Sequence, residues 1–164
     1  MLIETSTRRC WRVQVSDTAN ATLLTHSAQN RCFGCGPENP AGLKLQFAVA
    51  EDGSVFCVAT ISENYEGPPG CLHGGIIATL LDEAMSKANR AQGVTAMTRE
   101  MQIEYLKPVP SGAQIRIEGR VTRSEGRKHW TSAQILNVEG TVLARAVGFF
   151  IAVLPGSLPK PASR

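Results

Sequence analysis

The sequence predicts an α+β domain in which an antiparallel sheet wraps around one long helix. Three observations lead there. Residues 74–92 hold the only sustained helical spacing, with Ile76, Ile77, Leu80, Leu81, Ala84 and Ala88 recurring three and four apart. Most of the remaining chain alternates apolar and polar residues between glycine- and proline-bearing breaks, the mark of strands. The helix is apolar around most of its first three turns, so a flat sheet on one side would leave apolar surface in water.

The elements follow in chain order. Residues 1–30 lack a clean period; a strand, a short helix or an arm all fit. Residues 31–42 carry three glycines and two prolines and read as a loop. Leu43, Leu45, Phe47 and Val49 alternate, as do Val55, Cys57, Ala59 and Ile61 after the Glu51-Asp52-Gly53 turn, which predicts a hairpin. The helix follows the Gly67-Pro68-Pro69-Gly70 break, and Gly93 supplies its stop. Strand-like stretches then cover residues 97–106, 115–121, 130–138 and 141–153. This divides the chain into an N-terminal segment (1–30), one domain (31–155) and a proline-bearing tail expected to be disordered (156–164).

Composition narrows the partners. A net charge of +3, from 17 basic and 14 acidic residues, is too mild for a DNA-binding surface and suits a small anionic ligand. Aromatic residues make up 5%, which disfavours a base-stacking platform. No apolar run is long enough to span a membrane, and residues 1–12 show no apolar leader. Five cysteines make no even framework, so a reducing cytoplasm is the expected setting.

The chemistry concentrates around Gly70-Cys71-Leu72-His73-Gly74-Gly75, which runs straight into the helix. The first amides of a helix lack internal partners and present the positive end of its dipole. They can receive the oxyanion formed when a thioester carbonyl is attacked. A glycine-rich turn with a locally satisfied His73 fits the same residues. Asp82 then stands among apolar neighbours, where a carboxylate is costly unless paired or used. Glu83 has Lys87 four residues on and reads as a solvated surface pair. The small residues Ala78 and Ser86, on the face of Asp82, permit close approach by another element.

His73-Gly74-Gly75, with Asp82 nine residues after the histidine, resembles the motif of the PaaI-type hotdog thioesterases. Cys32-Phe33-Gly34-Cys35-Gly36-Pro37, Met97-Thr98, Lys107-Pro108-Val109-Pro110 and Gly126-Arg127-Lys128 are similar to family segments, so the likeness runs from about Cys32 to Val153. The resemblance implies a hotdog fold and hydrolysis of acyl-CoA without a cofactor or metal. It implies Asp82 as general base for water or, alternatively, as nucleophile, the Gly74 amide as oxyanion donor, Thr98 as a hydroxyl holding water or Asp82, and His73 as a positioning group. Gly75, Gly67, Asn64, Gly126, Arg127 and Lys128 become candidate substrate contacts. A homodimer, and a dimer of dimers, is implied as well. Where relatives often carry asparagine or glutamine shortly before the histidine, this chain has Glu66 and Gly67, with Asn64 further back.

Other signals are weaker. Cys32 and Cys35 have zinc-ligand spacing, but no second Cys-x-x-Cys exists, and Cys71-x-His73 is the nearest second half. The expectation is no metal. Arg116, Arg120, Arg123, Arg127 and Lys128 cluster about one turn; a landing site for coenzyme A phosphates and a plain solvated face both fit. Two rival functions share the fold: an acyl-thioester hydratase or dehydratase, and a non-catalytic acyl-CoA binder. The first lacks its His-Phe-Pro-Gly-like stretch here, and the second its usual DNA-binding domain.

Overall fold

The structure is a computed structural model, described here for residues 21–154 and 156–157. Readings that concern residues 1–20, and nearly all of the tail, lie outside the described residues. The described elements are β1 (Thr22–Leu23), β2 (Ala48–Val49), β3 (Val55–Thr60), a 3-10 turn (Glu63–Tyr65), α1 (Gly74–Ala91), β4 (Ala96–Tyr105), β5 (Gln114–Glu125), β6 (Lys128–Leu136) and β7 (Val142–Ala152). The strands form one antiparallel sheet in the order β1-β2-β3-β5-β6-β7-β4. The sheet curls about α1, as the sequence predicts.

The predicted strand over residues 43–49 is a correction. Only Ala48–Val49 joins the ladder. Leu43 and Leu45 donate instead to the carbonyls of Phe33 and Gly34, in the preceding loop. Leu45 and Phe47 are nonetheless buried. The alternation correctly marked which side chains enter the core while saying nothing of the backbone partner.

The core holds Leu80, Leu81, Ala84 and Met85 of α1 against Ile115, Ile117, Ile135, Ala146 and Phe150 of the sheet. Two glycines set how closely the helix lies. A Cβ on Gly119 would stand 2.5 Å from the Ala84 carbonyl oxygen, and one on Gly148 would stand 2.8 Å from the Met85 sulfur. The helix is not buried all round, however. Gly75, Ala78, Thr79, Asp82, Ser86 and Arg90 make a stripe that is half-buried or exposed. The described strands leave that stripe uncovered.

Glu83 and Lys87 are a second correction. They are 7% and 6% exposed, and their charged groups lie 2.7 Å apart. The i,i+4 spacing gave the pairing correctly, but the loop at residues 32–35 laps over it. What was read as a solvated pair is a buried one.

Candidate active site

Asp82 sits at mid-helix on the open stripe and is half-buried. Thr98, near the start of β4, donates its hydroxyl to Asp82 Oδ1 at 2.6 Å. Burial holds the Asp82 carboxyl above its ordinary range; the Thr98 hydroxyl pulls it back, and the Glu83 charge adds a smaller upward push. Among the described residues Asp82 has no cationic partner. A desolvated carboxylate held by one hydroxyl has lone pairs left to take a proton from water.

The second candidate group lies at the helix start. His73 caps α1, its Nδ1 accepting from the Gly75 N–H at 3.0 Å. The Gly75 amide, a candidate substrate contact, is therefore engaged by His73. The Nδ1 of His73 is thus satisfied locally, by the helix it caps. The Gly74 N–H has no acceptor among the described residues and is exposed. A Cβ on Gly74 would meet the Tyr105 ring at only 3.8–3.9 Å, and Tyr105 donates its hydroxyl to the Gly74 carbonyl at 3.2 Å. No sequence signal singled out Tyr105; its role follows from where β4 ends.

The turn before the helix is held by Glu66. Its Oε1 accepts from the Gly70 N–H at 3.0 Å and from the Ser111 hydroxyl. Glu66 braces the turn instead of partnering His73. Gly67 lies beside His73, close enough that a Cβ would be 3.3 Å from the His73 Cα. Asn64 is exposed in the 3-10 turn.

Gly126, Arg127 and Lys128 form the β5–β6 turn, with Gly126 at φ 55°. Register places this turn: Lys128 stands opposite Ile151, and Ile151 opposite Met97. The turn is thus two strands, about 10 Å, from the Thr98 end of β4. Arg127 Nε donates to the Ala152 carbonyl at 3.0 Å. Arg116 pairs with Glu118 at 2.6 Å, and Arg123 pairs with Glu125 while lying over the Trp130 ring. The arginines of the cluster mostly have partners within the sheet, and Arg127 and Lys128 are both exposed at the turn.

The structure thus gathers the sequence-predicted residues into two groups, Asp82 with Thr98 and Gly74 with His73, Gly75 and Gly67. Gly74 and Asp82 are eight positions apart, about 12 Å along the helix axis. An open groove of about 820 Å³ lies on the sheet face away from α1, lined by Trp130, Val147 and Phe149, and includes neither group.

Cys71 and His73 do not approach Cys32 and Cys35, the second half suggested by the sequence. Glu83 does instead. Burial, then the adjacent Glu83, pushes the Cys35 thiol up to about 12.

Comparison with known proteins bears on this arrangement. Residues 69–144 match the family model "Thioesterase superfamily". That stretch is similar to a thioesterase-superfamily domain, and the fold is that of a hotdog. The chain is 36% identical over 102 residues to the acyl-coenzyme A thioesterase THEM4 of Xenopus laevis, covering 62% of this chain and 46% of that protein. A solved thioesterase-superfamily protein shares 31% identity at a TM-score of 0.70, over 76% of this chain and 60% of its own. The PaaI protein of the E. coli phenylacetic acid degradation operon superposes at a TM-score of 0.63, with 20% identity, over 68% of this chain and 81% of its own. The chain spans between 39% and 54% of the first four curated relatives it matches. No described helix of the domain is long and apolar enough to cross a membrane.

Proposed function

We propose that this protein hydrolyses acyl-CoA thioesters to the free acid and coenzyme A. The observation that carries the reading is the half-buried, cation-free Asp82 carboxylate bonded to Thr98, in a hotdog domain that also offers the unpartnered Gly74 amide. Asp82 takes a proton from water, which attacks the thioester carbonyl. The Gly74 amide, at the positive end of α1, receives the developing oxyanion. Collapse of the tetrahedral intermediate releases the thiolate of coenzyme A. Thioesters have weak resonance, so a base and a polarising dipole are adequate for this step. His73 fixes the backbone of the donor turn by capping it. Lys128 and its turn meet the phosphates of coenzyme A.

A second copy of the chain completes the site. Among the described residues β4 is an edge strand, ten residues long. Its Met97 and Tyr105 are more than half exposed. An unpaired edge of that length is a template for another strand. Two-fold antiparallel pairing about the middle of β4 sets Thr98 of one chain about opposite Ile103 of the other. It lands near the partner copy of Tyr105, which is bonded to Gly74. The base of one chain and the oxyanion donor of the other then flank one thioester. The small residues beside Asp82 allow the two helices to approach. Pairing of such dimers into tetramers would use a sheet face or the helix side, and light scattering gives the state directly.

The direct test is release of free thiol from a panel of aryl, short, medium and long acyl-CoAs. Turnover of at least one is expected, and Asp82→Asn should lower kcat by roughly 10²-fold or more. Formation of an enoyl species in place of free thiol would move the protein to the hydratase reading. Binding without turnover would make it an acyl-CoA binder.

A further inference from the structure

The Cys32-Phe33-Gly34-Cys35-Gly36 loop takes no part in the hydrolysis above, yet it is built tightly onto the catalytic helix. Gly34 lies against the Glu83 carboxylate, where a Cβ would stand 2.5 Å from Oε2. Gly36 closes the turn by donating to the Cys32 carbonyl at 2.8 Å, and a Cβ there would strike the Cys32 nitrogen. These two glycines let the loop press both sulfurs onto Glu83. The two Sγ atoms and a carboxylate oxygen of Glu83 all lie within 4.8 Å of one another.

The surroundings are organised for these groups. Cys32 Sγ lies 3.7 Å from Glu83 Oε2. Lys87 Nζ donates to Cys35 Sγ at 3.1 Å and stands 2.7 Å from Glu83 Oε1. The Asn30 amide donates to the same sulfur at 3.5 Å while its oxygen accepts from the Cys32 N–H. Glu83 Oε1, in a residue 7% exposed, meets Lys87 at ion-pair distance without a directed hydrogen bond. His26 Nε2 is also buried and unpartnered, and His26 lines a cavity of about 260 Å³ together with Cys35.

We propose that Cys32, Cys35 and Glu83 bind one thiophilic divalent cation, with zinc the ion that best fits two sulfurs and a carboxylate. The spacing within the loop is that of a zinc half-site, and the second half is supplied by the helix instead of by another cysteine pair. His26 borders the cavity as a further donor. Charge favours the exchange. Two thiols and the Glu83–Lys87 pair are together neutral, and two thiolates, the carboxylate, a dication and the ammonium are neutral as well. Binding therefore releases two protons and leaves no net charge buried. Lys87 and Asn30 then hydrogen-bond the Cys35 thiolate from outside the ligand set. The ion pins the loop to α1 one residue from Asp82 and takes no part in attack on the thioester.

The test uses the full chain, kept reduced with a phosphine, stripped with chelator and titrated with Co²⁺. One Co²⁺ per chain is expected, with a thiolate-to-cobalt charge-transfer band, displaced by one equivalent of Zn²⁺ and accompanied by proton release. Zn²⁺ affinity should be tighter than about 1 μM. Cys32 is exposed, so Cys32→Ser should fold normally; it should weaken binding by at least about 10²-fold, while Cys71→Ser changes nothing. Zn²⁺ should raise the Tm of the wild type and leave that of Cys32→Ser unmoved. Absence of the charge-transfer band, less than one ion per chain, or equal affinity in Cys32→Ser would overturn the proposal. None of these results depends on thioesterase activity.

Discussion

The shared active site can be tested by complementation. Gly74 and Asp82 are about 12 Å apart along α1, and an aspartate side chain leaning toward the helix start recovers only a few ångströms of that. Base and oxyanion donor must each come within about 3 Å of their atoms on one thioester. One helix therefore cannot place both. Gly74→Pro removes the amide hydrogen, and the structure tolerates it. Gly74 is the first helical residue, His73 before it is already extended at φ −60° and ψ 140°, and the Tyr105 ring leaves ordinary van der Waals room. Asp82→Ala removes the base. Each homodimer should be inactive. In a mixed dimer one site carries both lesions and the other carries neither. Random pairing makes about half the dimers mixed, each with one intact site, so co-expression should restore roughly a quarter of wild-type turnover. Thiol release from purified, differently tagged mixtures measures it. Two mutants that fold and dimerise but give an inactive mixture would refute the shared site and place Asp82 opposite its own chain's donor.

Three further outcomes follow from the geometry. Thr98→Val keeps β-branching but removes the hydroxyl that favours ionised Asp82. The Asp82 carboxyl then rises further, and the acid limb of the kcat/KM profile should move to higher pH; an unmoved limb would mean that Asp82 is not the titrating base. Glu83→Gln strands a buried Lys87 ammonium and should destabilise the fold by about 3–5 kcal/mol, read by denaturant unfolding, where a solvated pair would lose under about 1 kcal/mol. Gly119→Ala forces a Cβ onto the Ala84 carbonyl and should cost about 1–3 kcal/mol, with a loss below a few tenths showing that the helix can shift freely.

The parts of the fold legible in the sequence are those written in local spacing. The helix was readable to within a residue because Ile77, Leu80, Leu81, Ala84 and Ala88 track its buried face and Gly93, at φ 75°, ends it. β4 and β5 were readable from alternation, though β5 runs on to Glu125, and β6 and β7 from the stretches after the Gly126 and Gly140 turns. Neighbourhood was not. β4 follows the helix in sequence but among the described residues pairs with β7 alone, and nothing in its alternation distinguishes an edge from a centre. Leu45 shows the same limit, since the period recorded its burial and missed that its backbone N–H donates to a loop carbonyl. Glu83 shows it for charge: spacing identified Lys87 as the partner but could not reveal the loop of residues 32–35 above them. Tyr105 left no mark, because its contact with Gly74 depends on where two distant elements end.

Asp82 and Glu83 are consecutive, so they point about 100° apart around α1. That angle separates their chemistry more than their depth does. Glu83 is the more deeply buried, but a lysine faces it and the surrounding loop holds groups that suit a charge. Asp82 is less buried and has only a hydroxyl, so burial raises it without an opposing cation. A carboxylate on a half-open stripe in that state is a site still short of one wall. Covering the stripe with a second helix would desolvate Asp82 further and move it in the same direction, toward the range in which a general base works near neutral pH. Dimerisation and base strength are then two consequences of one surface. A bulky uncharged substitution at Ala78, on that stripe, should therefore weaken the dimer, lower turnover with it, and in the separated chain bring the Asp82 carboxyl titration, read by NMR, back down. Dimer loss with an unmoved Asp82 titration would separate the two.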